Sequence, residues 1–368
     1  MQQEEYRFWL ANLPGIGIKK IELLLQIYGC AEEVFRSTRE ELMTLREDAA
    51  FALRVSEKDV EMLLWNRNVE KIQTAYAKLR NNGIYFVSRE EDQYPEKLRD
   101  IYDAPYALYV KGKLPGKEEK SLAIIGARDC SPYGIEMAKY LAGAIAKENI
   151  SIISGLARGI DSYAHEGALT VGGTTYGILG CGIDICYPKE NLKLYMAMQQ
   201  GGGIISEYAP GGKPLAGNFP MRNRIISALS DGILVIEARE KSGSLITVDF
   251  GLEHGKEIYA LPGRATDKLS EGCNNIIRMG AKLVTTPKDI LEDFILNYEQ
   301  NMDEMKKNNK LLENEEKIVY ASLCLEPKHI EEVAVLTDLP LTVLTEKLLL
   351  LELRGFIRQT RKNYYVVI

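Results

Sequence analysis

The sequence contains no apolar run near the roughly 18 residues a bilayer span requires, and its opening, Met1-Gln2-Gln3-Glu4-Glu5-Tyr6, carries acid where a secretory leader carries base. These absences predict a cytoplasmic protein with no membrane partner. Histidine is scarce at three residues, and the six cysteines (Cys30, Cys130, Cys181, Cys186, Cys273 and Cys324) lie scattered with no Cys-x-x-Cys pair. That usage argues against a zinc cluster or a disulfide framework, so no metal is expected. No Gly-x-Gly-x-x-Gly follows the first strand of the central region, and no Gly-x-x-x-x-Gly-Lys-Ser/Thr loop occurs anywhere. Neither a dinucleotide nor P-loop ATP hydrolysis fits, and no cofactor is expected. Positive charge is short too, since 46 Lys and Arg against 52 Asp and Glu leave a net charge of -6. Any nucleic-acid site must therefore be local rather than a bulk basic surface.

What is present is a 368-residue chain, 46% apolar, able to bury a large core divided among several domains. Helical periodicity dominates residues 1–84: Tyr6 to Asn12, Ile18 to Ile27, Ala31 to Phe35, Glu40 to Leu45 and Val60 to Leu79. Leu13-Pro14-Gly15-Ile16-Gly17 separates the first two and is similar to the hairpin of helix-hairpin-helix modules. Its glycines allow a tight backbone whose N–H groups face a phosphate, with Lys19 and Lys20 close behind; the competing reading is a helix cap and turn between packed helices. A second hairpin is looked for near Leu45 to Val55, where Arg46-Glu47-Asp48 supplies no glycine.

Residues 85–120 read as an irregular connector punctuated by Pro and Gly. Short apolar runs then alternate with helical patterns: Ser121 to Ile125, Ile150 to Ile153, Thr174 to Leu179, Gly203 to Ser206, Ile233 to Glu237, Glu257 to Leu261 and Lys282 to Val284. Helical segments such as Gly134 to Lys147, Ser162 to Thr170 and Met221 to Leu229 fall between them. This order predicts an α/β fold with a Rossmann-like, doubly wound, mostly parallel sheet over 85–296, whose ligands bind at the carboxyl ends of the strands. A polar linker is expected over 297–315. Residues 316–368 show three helices and a terminal hairpin in the order of a winged helix.

Several strand-end loops suit phosphate. Gly126-Ala127-Arg128 follows the first strand, and Ser154-Gly155 opens the loop after the second. Small residues there let an anion approach backbone N–H groups at a helix start. Lys241-Ser242-Gly243-Ser244 opens another helix in the same manner. The densest signal is Asn218-Phe219-Pro220-Met221-Arg222-Asn223-Arg224, one ring and two arginines at a helix start, the pairing single-strand binders use for bases and phosphates. Because Arg222 and Arg224 are two apart they leave the helix in different directions, so one is expected to contact DNA and the other to brace the loop. The competing reading has Phe219 buried and an arginine paired with Glu207 or Glu237.

These motifs, together with Tyr187-Pro188-Lys189-Glu190-Asn191, Ser206-Glu207 and Leu261-Pro262-Gly263, resemble in order and spacing the DNA-processing A (DprA/Smf) family. Ala127 departs from that family's usual Ser or Thr. The resemblance implies a homodimeric recombination mediator that binds single-stranded DNA and loads RecA recombinase onto it, as in natural transformation. By motif match it places Arg128, Phe219, Arg222, Asn223 and Arg224 at the DNA, with Lys241 and Ser242 to Ser244 as neighbours.

Two other classes are weighed against this reading. Related Rossmann-like enzymes that cleave nucleoside monophosphates carry a loop with a placed glutamate, whereas Ser242 to Val248 has no carboxylate before Asp249. Asp161 and His165, four apart on one helix, are read as structural rather than as an acid–base pair, so no enzyme activity is expected. A winged-helix regulator would need a basic recognition helix, and Leu341 to Leu353 offers only Lys347, although Arg358, Arg361 and Lys362 in the hairpin could touch a backbone.

Overall fold

The computed structural model describes residues 1–294, 314–323, 327–354 and 356–367. They form two compact units, Met1–Ile290 and Leu291–Ile368. Most of the expected linker, and Cys324, lie outside the described residues.

The larger unit opens with seven helices: α1 (Gln3–Ala11), α2 (Ile18–Tyr28), α3 (Ala31–Arg36), α4 (Arg39–Leu45), α5 (Ala49–Arg54), α6 (Glu57–Trp65) and α7 (Val69–Asn81). The stretch expected as one helix from Val60 to Leu79 is two, because Asn68 caps a new start by accepting from the Lys71 N–H at 2.9 Å. Where a second hairpin was sought, Asp48 caps α5 through the Phe51 N–H, so the chain turns there without glycine. Trp9, Leu10, Leu24 and Leu63 bury the inner faces of these helices. The same apolar cluster continues into Phe86 and Tyr109 of the sheet, so the helices share a core with it.

The central sheet has nine strands, β1 (Tyr85–Ser88), β2 (Ala107–Gly112), β3 (Ser121–Ile125), β4 (Ser151–Ser154), β5 (Thr175–Leu179), β6 (Gly202–Ser206), β7 (Gly232–Val235), β8 (Glu257–Ala260) and β9 (Lys282–Leu283), in the order β1-β2-β6-β5-β4-β3-β7-β8-β9. From β6 to β9 every pairing is parallel. The large, mostly parallel sheet expected from the sequence is thus present. The stretch 85–120, read as an irregular connector, instead contributes β1 and β2, an antiparallel pair that extends the sheet beyond β6.

Helices α9 (Pro132–Lys147), α10 (Ile160–Thr170), α12 (Asn218–Leu229) and α13 (Leu245–Glu253) cover the strands; α8 (Glu96–Arg99), α11 (Leu192–Met198) and α14 (Glu271–Arg278) belong to the same unit. Strands β3, β4 and β5 are buried along their whole length, which is why they read as continuous apolar runs rather than as alternations. Strand order reverses direction at β3: the chain steps outward through β4, β5 and β6, then returns to place β7 on the other side of β3. The loops leaving β3 and β7 therefore diverge to opposite faces and leave a crevice between them.

The smaller unit holds helices Asn314–Ser322, Ile330–Thr337 and Leu341–Leu353, and a three-stranded sheet of Lys328–His329, Ile357–Arg361 and Tyr364–Val367. Its core is formed by Val319, Val333, Leu344, Leu348, Leu351 and Ile357.

Candidate nucleic-acid interface

A cavity of about 370 Å³ occupies the crevice between β3 and β7. Its wall includes Gly126 and Arg128 from the loop after β3, Phe219, Arg222 and Asn223 from the start of α12, and Ser242, Gly243 and Ser244 from the loop before α13. All eight were expected at the site. Gly126 is required there because a Cβ would stand 2.7 Å from Ile160 Cγ1 and 2.9 Å from the Glu237 carbonyl oxygen, and the Ala127 N–H donates to that same carbonyl at 2.7 Å.

The upper wall is polar and cationic. Arg128 is exposed, and its guanidinium carbon lies 5.7 Å above the Phe219 ring centroid, within cation–π range. On the opposite wall, the Asn223 side chain donates to the Gly243 carbonyl at 3.4 Å, and the Ser242 and Ser244 hydroxyls are 2.7 Å apart. The starts of α12 and α13 open onto the cavity through Phe219 and Ser244, adding the positive ends of two helix dipoles. The buried Glu237 carboxylate is turned to the start of α9, where it accepts from the Ser131 N–H and hydroxyl.

The two arginines do not divide as expected, because both are 4% exposed and both are braced. Arg222 Nη1 donates to the carbonyls of Gly155, at 2.7 Å, and Ile178. Arg224 forms a bidentate pair with Glu207, at 2.9 and 2.8 Å, and a further ion pair with Asp103 at 3.0 Å. The alternative pairing with Glu207 is the one realised. Spacing on a helix separates side-chain directions but does not say which of them are buried, so the pattern alone could not decide this.

Ser154 and Gly155 are likewise turned inward rather than toward the cavity. The Ser154 hydroxyl donates to the Ile124 carbonyl at 2.6 Å, stitching β4 to β3. The Gly155 N–H is taken by Asp161 Oδ2 at 3.1 Å, leaving it no capacity for a phosphate. Lys241 is exposed on the loop before Ser242 but outside the cavity wall.

Asp161 reaches the cavity floor without being selected from the sequence as a wall residue. Burial pushes its carboxyl up, opposed chiefly by the Arg222 cation. His165 is fully buried; burial, aided by the charge of Arg222, pushes its imidazole down to about 3. The Thr175 hydroxyl donates to the Ile152 carbonyl and so accepts from His165 Nδ1 at 2.6 Å, leaving Nε2 unpartnered in the interior. The two side chains are engaged separately and do not form an acid–base pair facing the cavity.

Tyr187, also missed, packs against Phe219 with ring centroids 5.5 Å apart and planes at 33°. Nothing local to Tyr187 in the sequence marks it, because its partner lies in a distant segment. At the N-terminal hairpin, Lys20 is tied to Asp59 at 2.7 Å and to the Gly15 carbonyl at 3.1 Å, and Lys19 Nζ stands 5.8 Å from the Tyr102 ring centroid. Among the described residues, no group of three or more His, Cys, Asp or Glu could hold a metal ion, and no helix is long and apolar enough to cross a membrane.

A doubly wound α/β sheet with a cavity at its switch point places the larger unit in the Rossmann-like class of folds. Residues 85–295 match the family described as DNA recombination-mediator protein A. The chain belongs to that family. It is 43% identical over 204 residues to DNA processing protein DprA of Streptococcus pneumoniae, spanning 55% of this chain and 72% of the relative. It is 40% identical over 225 residues to Protein Smf of Escherichia coli, spanning 61% and 60%. Among solved structures, DprA of S. pneumoniae superposes with a TM-score of 0.62 at 31% identity, covering 79% of this chain and 98% of the other. The DprA of Helicobacter pylori, a structure describing its single-stranded DNA binding mode, gives 0.52 at 30% identity, covering 58% and 96%.

Proposed function

We propose that this protein binds single-stranded DNA in the switch-point cavity and, as a homodimer, loads a RecA-type recombinase onto that strand during DNA processing and natural transformation. Family membership carries the mediator role, and the named H. pylori relative supports the ligand. The single observation that carries the site is the stacked Arg128–Phe219 pair on the cavity wall, a cation and a ring presented together where two helices begin.

On this reading Arg128 and Lys241 neutralise phosphates, while the backbone around Gly126 and Ser242 to Ser244 cradles them. Phe219 and Asn223 meet the bases. Arg222, Arg224, Ser154 and Gly155 hold the frame. The protein acts by binding rather than by catalysis, in the cytoplasm. The smaller unit is a winged helix that does not read bases: Lys347 is paired with Glu315 at 3.4 Å, and the same helix exposes Leu341, Leu349 and Leu353.

The test is a titration of labelled single-stranded and duplex DNA of equal length at physiological salt. Preference for the single strand, weakening as salt rises, is expected. Equal affinity for the two overturns the reading. The RecA step is tested by filament assembly on strands pre-coated with single-strand-binding protein, which this protein should accelerate.

A further inference from the structure

Phe219 is covered on more than one side. The Arg128 guanidinium lies over its ring, and Gly180 lies so close that a Cβ there would stand 2.8 Å from Phe219 Cδ1. The Tyr187 ring packs on it at 5.5 Å. A base reaching this stack therefore meets less of Phe219 than its sequence context suggests. Tyr187, by contrast, is 44% exposed and outside the cavity wall. Arg128 and Tyr187 both pack on Phe219, so the three planar groups form one cluster. Two residues beyond Tyr187, Lys189 is exposed and has no ion pair among the described residues.

From this geometry we infer that Tyr187 is a second base-stacking position, carrying a nucleobase of the bound strand beyond the cavity, with Lys189 available to the adjoining phosphate. The inference rests on the single-strand reading above and extends it to a strand that continues past Phe219 onto the loop that holds Tyr187 and Lys189. Base stacking on an exposed ring is indifferent to base identity, since every base has a π-face. The ligand is thus a strand more than one nucleotide long and of any sequence. Phe219 also supports the Tyr187 ring, which packs against it.

The test compares wild-type, Tyr187→Leu, Tyr187→Phe and Tyr187→Trp full-length proteins on oligo-dT and on an abasic oligomer of the same length. Tyr187→Leu keeps apolar bulk on Phe219, and its folding is checked by thermal melting. It should weaken oligo-dT binding about tenfold, the size of a lost base–ring stack, with the slope of log affinity against log salt unchanged. On the abasic oligomer, wild type and Tyr187→Leu should bind alike. Tyr187→Phe should retain wild-type affinity. Tyr187→Trp emission should be quenched by oligo-dT over the constant signal of Trp9 and Trp65. If wild type binds oligo-dT while Tyr187→Leu matches it and Tyr187→Trp is not quenched, the Tyr187 inference fails and the single-strand reading stands. A wild-type protein that binds neither oligomer overturns both.

Discussion

Asp161 and Arg222 close around Gly155 beneath the cavity: the carboxylate accepts the Gly155 N–H at 3.1 Å and the guanidinium donates to the Gly155 carbonyl at 2.7 Å. Gly155 permits this because a Cβ would stand 2.6 Å from Asp161 Oδ2. Burial disfavours both charges, raising Asp161 and lowering Arg222, and the attraction between the two opposes the shift in each.

Arg222→Ala strands that carboxylate. Arg222 is also the donor to the buried Gly155 and Ile178 carbonyls, and leaving a buried acceptor unsatisfied costs about 1–3 kcal/mol, so urea unfolding should show a loss of that order or more. Arg222→Lys should recover only part of this, since one Arg222 nitrogen, Nη1, serves both carbonyls and an ammonium on a differently shaped stem must reach the same point. A folded Arg222→Ala protein of wild-type stability with weakened DNA binding would mean that Arg222 is a contact rather than a brace.

Arg224 and Glu207 are coupled through two hydrogen bonds at low exposure. A double-mutant cycle of Arg224→Ala and Glu207→Ala, read by denaturant unfolding, should give a coupling energy above about 1 kcal/mol. The salt slope of DNA binding should not change. A slope reduced by about one unit would instead place Arg224 on a phosphate.

Arg128 and Phe219 should separate by salt dependence. Arg128→Ala removes an exposed cation, lowering affinity and flattening the plot of log affinity against log salt by up to about one unit. Phe219→Ala should cost about 1–3 kcal/mol of binding with the slope intact. Titrations over a series of salt concentrations measure both.

His165 makes stability depend on pH. Its imidazole is held down to about 3 in the fold against an ordinary 6.5, so between those values the unfolded chain carries a proton that the folded one lacks. Stability should therefore rise with pH across that window, with His165 contributing about 1.4 kcal/mol per pH unit at its acid end and about half that near 6.5. His165→Asn, which keeps a donor for Thr175, should be flatter by that amount in urea midpoints measured from pH 5 to 6.5. Parallel slopes would show that the imidazole gains its proton without unfolding.

The sheet was legible where its physics was simple. Strands such as Ser121–Ile125 and Thr175–Leu179 are buried on both faces, so apolarity alone marks them. Tyr85–Ser88 and Ala107–Gly112 escaped because they are short, antiparallel and set among prolines that read as loop. The cavity wall was legible too, because small residues at strand ends and a ring beside cations are local patterns. Which arginines face inward was not local: it depends on Asp161, Glu207 and Asp103, brought to α12 from distant parts of the chain. Tyr187 was hidden for the same reason, since its partner Phe219 is 32 residues away in the sequence.

The most direct test of the cavity as the strand's seat is photocrosslinking of single-stranded oligomers carrying 5-iododeoxyuridine, with the adducts mapped by mass spectrometry. The account predicts adducts on the segments around Phe219 and Tyr187, reduced by unlabelled single strand and little affected by equal duplex. Adducts confined to the hairpin at Leu13 to Lys20, or to Leu341–Leu353 of the smaller unit, would contradict it.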